Sequence, residues 1–251
     1  MKKIIYILFI LLTNSILAQN PTELFEKANA DYREGNYSQA LKTYHEIDRL
    51  EQQSADLYYN MGNAYYKLNE IAPSIYYFEK ALVLNPLHED AKHNLVFAQR
   101  MTIDAIEALP KSIFQNFNER IIYPISHNSW AWVSIVLAFL IAVFFLSYYF
   151  SQYAFKKRIY FILSFVSIGL FLLSLSFTIK AKHHFKTDQP AIIFSPKVSV
   201  KSEPQLSASE TFILHEGTKV QLLQTIDSWS KIKLDDGKIG WLLNSDFKKI
   251  K

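Results

Sequence analysis

Two stretches, Trp130–Phe150 (WAWVSIVLAFLIAVFFLSYYF) and Ile159–Ile179 (IYFILSFVSIGLFLLSLSFTI), decide the architecture of this chain. Each is long enough to cross a hydrocarbon core of roughly 30 Å as a helix, which takes about 20 residues. Neither contains a charged side chain, and one placed at the bilayer centre would cost several kcal/mol. The short loop between them, Ser151–Arg158, carries Lys156, Lys157 and Arg158. The reading is a membrane protein built on a two-helix hairpin, with a polar segment on either side.

Sidedness is set by the N-terminus. Lys2 and Lys3 precede the apolar run Ile4–Leu12, and Ser15-Ile16-Leu17-Ala18 ends on a small residue. This predicts a secretory signal peptide over 1–18; the alternative is an uncleaved anchor, and both export the chain beyond residue 18. Residues 19–129 and everything after the second span are then extracytoplasmic, and the basic 151–158 loop is cytoplasmic. Lys180, Lys182 and Lys186 on the outer side nearly balance the local count, so the signal peptide decides the orientation. Cysteine is absent, so both outer segments must hold by packing alone.

The net charge of +4 is not a nucleic-acid signature. Residues 19–110 carry 8 basic and 14 acidic side chains, and residues 187–251 carry 9 and 8. The remainder carries 10 basic and 1 acidic, so the surplus lies in the leader and beside the spans, where it meets anionic headgroups. Nucleic acid is excluded as a partner; the lipid bilayer is included.

Residues 21–107 read as helical throughout, with apolar and aromatic positions at three- and four-residue spacing. A shift of 34 residues places Gly35 on Asn69, Tyr37 on Ile71, Ala40 on Ser74 and Tyr44 on Phe78. Tyr58, Met61, Gly62, Tyr65, Ser74, Phe78, Ala81 and Pro86 make the second copy resemble a tetratricopeptide repeat. The first copy keeps Ala28, Gly35, Tyr37, Ala40 and Tyr44 but has Lys27 and Asp31 where apolar residues usually sit. His88–Glu107 is expected to cap the array, closing a solenoid over 21–109. The resemblance implies a concave peptide groove carried by the first helix of each repeat: Asn29, Tyr32 and Arg33; Tyr59, Asn63, Tyr66 and Lys67; then His93 and Phe97. Residues 110–129, with Ile113, Phe114, Phe117, Ile121 and Ile122, read as a membrane-proximal amphipathic segment or a packing helix.

Beyond residue 187 alternation replaces the helical period: Val198 and Val200, Val220 and Leu222, Ile232 and Leu234, then Ile239, Trp241 and Leu243. Asp235-Asp236-Gly237-Lys238 and His215-Glu216-Gly217 mark turns. Five short strands in 187–251 predict a small all-β barrel. The order Gly217-Thr218-Lys219-Val220, Trp229-Ser230-Lys231-Ile232 and Gly237-Lys238-Ile239-Gly240-Trp241 resembles a bacterial SH3-like domain, which implies a ligand surface at Trp229 and Trp241 or a core role for both.

No catalytic constellation is legible. Six glycines form no phosphate-cradling loop, no thiol is present, and the seven histidines are scattered, with His88 and His93 five apart. A non-enzyme without cofactor or metal is expected. The order of leader, repeats, two spans and SH3-like module is similar to the BatE-like proteins of the Bat aerotolerance operon, with Asp104-Ala105-Ile106-Glu107-Ala108-Leu109-Pro110 among the matching stretches. That resemblance implies an inner-membrane scaffold presenting both modules to the periplasm, with membrane or periplasmic partners of the Bat type, some bearing von Willebrand A domains. The alternative is a tether that holds peptidoglycan through the SH3-like module. A channel would need Ser134, Ser147, Ser164 or Ser174 to line a pore.

Overall fold

The computed structural model describes residues 20–251. The expected signal peptide over 1–18 lies outside them. The described chain divides into two compact units. One joins the N-terminal helices to the C-terminal sheet, and the other holds residues 107–189 and 235–237.

Five helices form the N-terminal array: α1 (Pro21–Arg33), α2 (Tyr37–Arg49), α3 (Ala55–Lys67), α4 (Ile71–Leu84) and α5 (Glu89–Gln99). Three of their starts are set by side chains that accept otherwise orphaned amides. Asn20 takes the Thr22 N–H, Ser54 the Leu57 N–H, and His88 Nδ1 the Ala91 N–H. Gly35 and Asn69 terminate α1 and α3 with φ of +84° and +59°, so the two positions matched by the 34-residue shift make the same left-handed turn. Tyr44, Tyr58 and Phe78 are fully buried between the helices. Phe78 packs so closely on α3 that a Cβ at Gly62 would stand 2.6 Å from its ring, and Ser74 Oγ donates to the Gly62 carbonyl.

The helical run stops at Gln99, earlier than the sequence period suggests. Thr102 Oγ1 closes the end on the Gln99 carbonyl at 2.7 Å, and residues 103–112 leave the helix. The reason lies in the C-terminal sheet. Asp104 accepts from the His215 N–H at 2.7 Å, from Thr218 Oγ1 at 2.6 Å and from His215 Nδ1 at 2.8 Å. Ile106 packs on the sheet's core. A carboxylate with three donors outside the helix outweighs the few helical hydrogen bonds that continuing would add.

The sheet has seven strands, not five: β1 (Pro190–Ile193), β2 (Lys197–Lys201), β3 (Glu210–His215), β4 (Lys219–Ile226), β5 (Trp229–Lys233), β6 (Ile239–Leu243) and β7 (Phe247–Lys249). All ladders are antiparallel, in the order β3-β2-β6-β5-β4-β1-β7. The expected closed barrel is corrected: β3 and β7 end the order without a ladder between them, leaving an open sheet. The β7 side is used differently. Ile192 and Ile250 are buried with Ala72, Ile75, Phe78, Leu95 and Ala98 of the helices, while Ala191 and Ile193 face the sheet's own core. Thus β1 is covered on both faces.

Two further contacts fix this docking. Glu79, 7 % exposed, receives Lys219 Nζ at 2.7 Å. Gly217, with φ of +84°, lies so near the helices that a Cβ there would meet Thr102 at 2.9 Å and Ile75 at 3.1 Å. Glycine is required for the turn and for the approach.

The second unit contains α6 (Ile113–Phe117), a π-helical turn (Asn118–Ile122), and the long helices α7 (His127–Phe150) and α8 (Ala154–Thr187). The last two are long and apolar enough to cross a membrane. They pack through small residues. The Ser134 and Ser174 hydroxyls lie 3.0 Å apart, and each is 3.0 Å from the Trp130 carbonyl. Ser134, Ser164 and Ser174 are all buried. Large side chains such as Phe139 and Phe165 point outward. The π-helical turn braces the end of α8: Phe117 packs on Phe177, Lys180 donates to Asn118, and Tyr123 stacks on His184 at 3.7 Å.

Candidate peptide groove

The first helices of the repeats present a cleft of about 510 Å³ lined by Tyr32, Tyr59, Asn60, Asn63, Tyr66, Lys67, Asn94 and Phe97. That size falls within the range of roughly 300–1,000 Å³ usual for small-ligand or side-chain pockets. Of the residues singled out in the sequence, Tyr32, Tyr59, Asn63, Tyr66, Lys67 and Phe97 come together here. Asn29 stands behind the wall, where its Oδ1 accepts both Tyr44 OH at 2.7 Å and Asn60 Nδ2 at 2.9 Å. Arg33 is exposed but outside the lining, and His93 is exposed with its ring edge-on to Phe97 at 4.9 Å.

Asn60 and Asn94 escape the sequence reading, and they organise the floor. Asn94 Nδ2 donates to Asn63 Oδ1 at 2.7 Å and reaches Tyr59 OH at 3.3 Å. Asn60 treats Asn29 in the same way. Asn29 and Asn63 therefore each receive a bond from the asparagine 31 positions later, and the pairs 29/60 and 63/94 are one repeat apart. The 34-residue shift carries Asn60 onto Asn94, a signal present in the sequence.

The lining contains no carboxylate and one cation, Lys67. Burial, with Tyr37 and Tyr59 nearby, pushes the Tyr32 hydroxyl above its usual range, so it stays a neutral donor. Amide donors, phenols and an exposed ammonium suit the carbonyls of an extended backbone or a carboxylate. The wall on the other side of α3 is structural: Tyr58 OH donates to Asp48, and Lys80 Nζ lies 3.9 Å over the Tyr58 ring.

The two tryptophans of the sheet part company. Trp229 is half-buried beside the β4–β5 turn, but Trp241 is only 9 % exposed, with Lys231 Nζ 6.0 Å from its ring. Gly240 beside it admits no Cβ, because Val200 Cγ1 would stand at 2.3 Å. The register places Trp241 on the same face of the sheet as Trp229, opposite to the face of Gly240 and the core residue Leu242, with Lys201 and Lys231 paired beside it, so of the two rings Trp229 is the more open. Among the described residues no group of three or more His, Asp or Glu gathers as a metal site.

No curated protein matches the chain significantly. Three family matches accord with the geometry above. Residues 28–69 match the TPR repeat, residues 55–87 match the tetratricopeptide repeat, and residues 196–248 match the bacterial SH3 domain.

Proposed function

We propose that this chain is a non-enzymatic, membrane-anchored scaffold whose repeat groove receives an extended, carboxylate-bearing segment of an envelope protein. The observation that carries this reading is the asparagine-floored cleft, open and without acidic lining, on a helical array of a type that serves protein interaction. The α7–α8 hairpin crosses the cytoplasmic membrane, with its basic loop inside and the other ends in the periplasm. Exposed phenylalanines along both helices support a lipid environment, since soluble surfaces rarely carry contiguous apolar patches of this extent. An even number of crossings also suits helices and sheet that pack as one unit although the hairpin separates them in sequence. Membership of a Bat-type complex tied to aerotolerance or envelope stress, with von Willebrand A-domain partners, rests on the order of segments.

Photocrosslinking from position 67 or 94 in intact cells tests the groove. Capture of an envelope protein, lost on adding excess carboxylate-terminated peptide, is expected; crosslinks to lipid alone would remove the proposal. A second reading, peptidoglycan binding through the sheet, draws on the bacterial SH3 match and the half-exposed Trp229. Retention of the full chain on purified sacculi, abolished by Trp229→Ala, would favour it.

A further inference from the structure

We propose that the loop end of the α7–α8 pair is a binding site for one anionic phospholipid. The site rests on the reading that this pair crosses a bilayer. Between the helices lies a cleft of about 560 Å³ whose lining includes Tyr148, Lys157, Arg158 and Phe161. Tyr148 and Phe161 also line a second cleft of about 240 Å³, which continues between the helices to Phe145 and Ile168. The composite has two cations at one end and aromatic and aliphatic walls along the rest. That is the order of chemistry in a phospholipid, a phosphate followed by acyl chains.

Charge complementarity selects this occupant. From residue 120 to residue 187 the chain has no Asp or Glu, so the hairpin offers Lys157 and Arg158 no carboxylate. Lys157 Nζ stands 5.2 Å from the Tyr148 ring, which holds it at the mouth of the cleft. Arg158 supplies a planar fork suited to phosphate oxygens. A neighbouring apolar helix would fill the walls but leave both cations at the membrane boundary unanswered. Basic pockets between membrane helices on the cytoplasmic side are known to seat anionic headgroups. Lys156 provides an internal control: it is one residue away, does not line the cleft, and lies 5.1 Å from the Tyr153 ring instead.

The full chain is reconstituted in nanodiscs containing equal phosphatidylglycerol and phosphatidylcholine, extracted with mild detergent, and the retained lipids are quantified by mass spectrometry. Phosphatidylglycerol should be retained roughly tenfold over phosphatidylcholine, in line with two basic contacts at a membrane surface. Lys157→Gln with Arg158→Gln should abolish the preference, and Lys156→Gln should leave it. Equal retention of the two lipids would overturn the site. So would an equal loss with Lys156→Gln, which would reduce the effect to diffuse surface charge. Failure of the chain to enter nanodiscs would remove the bilayer reading, and the site with it.

Discussion

The repeat array has two faces with opposite fates. One is a polar cleft whose asparagines bond each other and leave amides, phenols and Lys67 toward the open side. The other is covered by the chain's own C-terminal sheet, through Ile192 and Ile250 in the helical core and through polar contacts at Asp104 and Glu79. The cleft combines an asparagine floor with aromatic walls and stays open to solvent, as a reversible binding surface does. The covered face has buried aliphatics and a satisfied buried carboxylate, as a permanent interface does. Two domain types associated with binding thus need not give two independent binding sites: much of one is given over to holding the other.

The comparison breaks most readily at Asp104. Asp104→Ala strips the acceptor from the His215 amide, the His215 ring and the Thr218 hydroxyl at once. We expect a loss of about 3 kcal/mol in chemical unfolding, with amides of β1 and β7 exchanging faster than those of β5. Lys219→Met comes next, since it leaves the buried Glu79 carboxylate without its cation; about 2 kcal/mol is expected, with Glu79→Gln in the same chain restoring part of it.

Acid should act on the helices before it acts on the docked sheet. Burial, assisted by Arg49, Lys248 and Lys80 and opposed by Asp48, holds His45 below its ordinary value of 6.5. The unfolded chain therefore takes up the proton first, and the helices lose stability as pH falls below about 6.5. Asp104 responds lower. Burial alone would raise it, but donors from Thr218 and His215 prevail and hold it below its ordinary 3.8. Its contribution is complete above that value and disappears as pH falls through the depressed one. Thermal unfolding between pH 7 and 5 should soften in the parent and not in His45→Gln, while exchange at β1 stays slow until below about pH 4.

Asn94→Ala should leave sheet docking intact and weaken peptide binding by about 1 kcal/mol in fluorescence titration, because it removes the bond that orients Asn63. The smallest effect is a gain. Asp31 Oδ2 is buried without a hydrogen-bond partner, at a position where the repeat pattern calls for an apolar residue. Asp31→Leu should stabilise the helices by somewhat under about 1 kcal/mol, read from the thermal midpoint.

Much of this is legible in residue spacing. The period of 34 locates the turns at Gly35 and Asn69 and the buried pair Tyr44 and Phe78, because helix packing fixes those positions locally. It also contains Asn94, which is hidden as long as 88–107 is read as a cap rather than as a further first helix. Strand β1 escapes for a physical reason. Ala191-Ile192-Ile193 is buried on both faces, so alternation, the usual sign of a strand, is absent. The departure of 103–106 from helix has no local signal, since Asp104 is claimed by residues more than a hundred positions away. Trp241 shows the same limit: alternation places it on one face of β6 with Ile239 and Leu243, but how far that face is covered depends on neighbouring strands, where Lys201 and Lys231 lie beside it.

The central claim is that helices and sheet form one packed body. The absence of cysteine allows clean two-site labelling, with nitroxides at Lys42 on α2 and Lys233 on β5, both exposed. Pulsed dipolar spectroscopy on the full chain should give a single narrow distance distribution that broadens in Asp104→Ala. A broad distribution in the unaltered sequence, insensitive to Asp104, would contradict it.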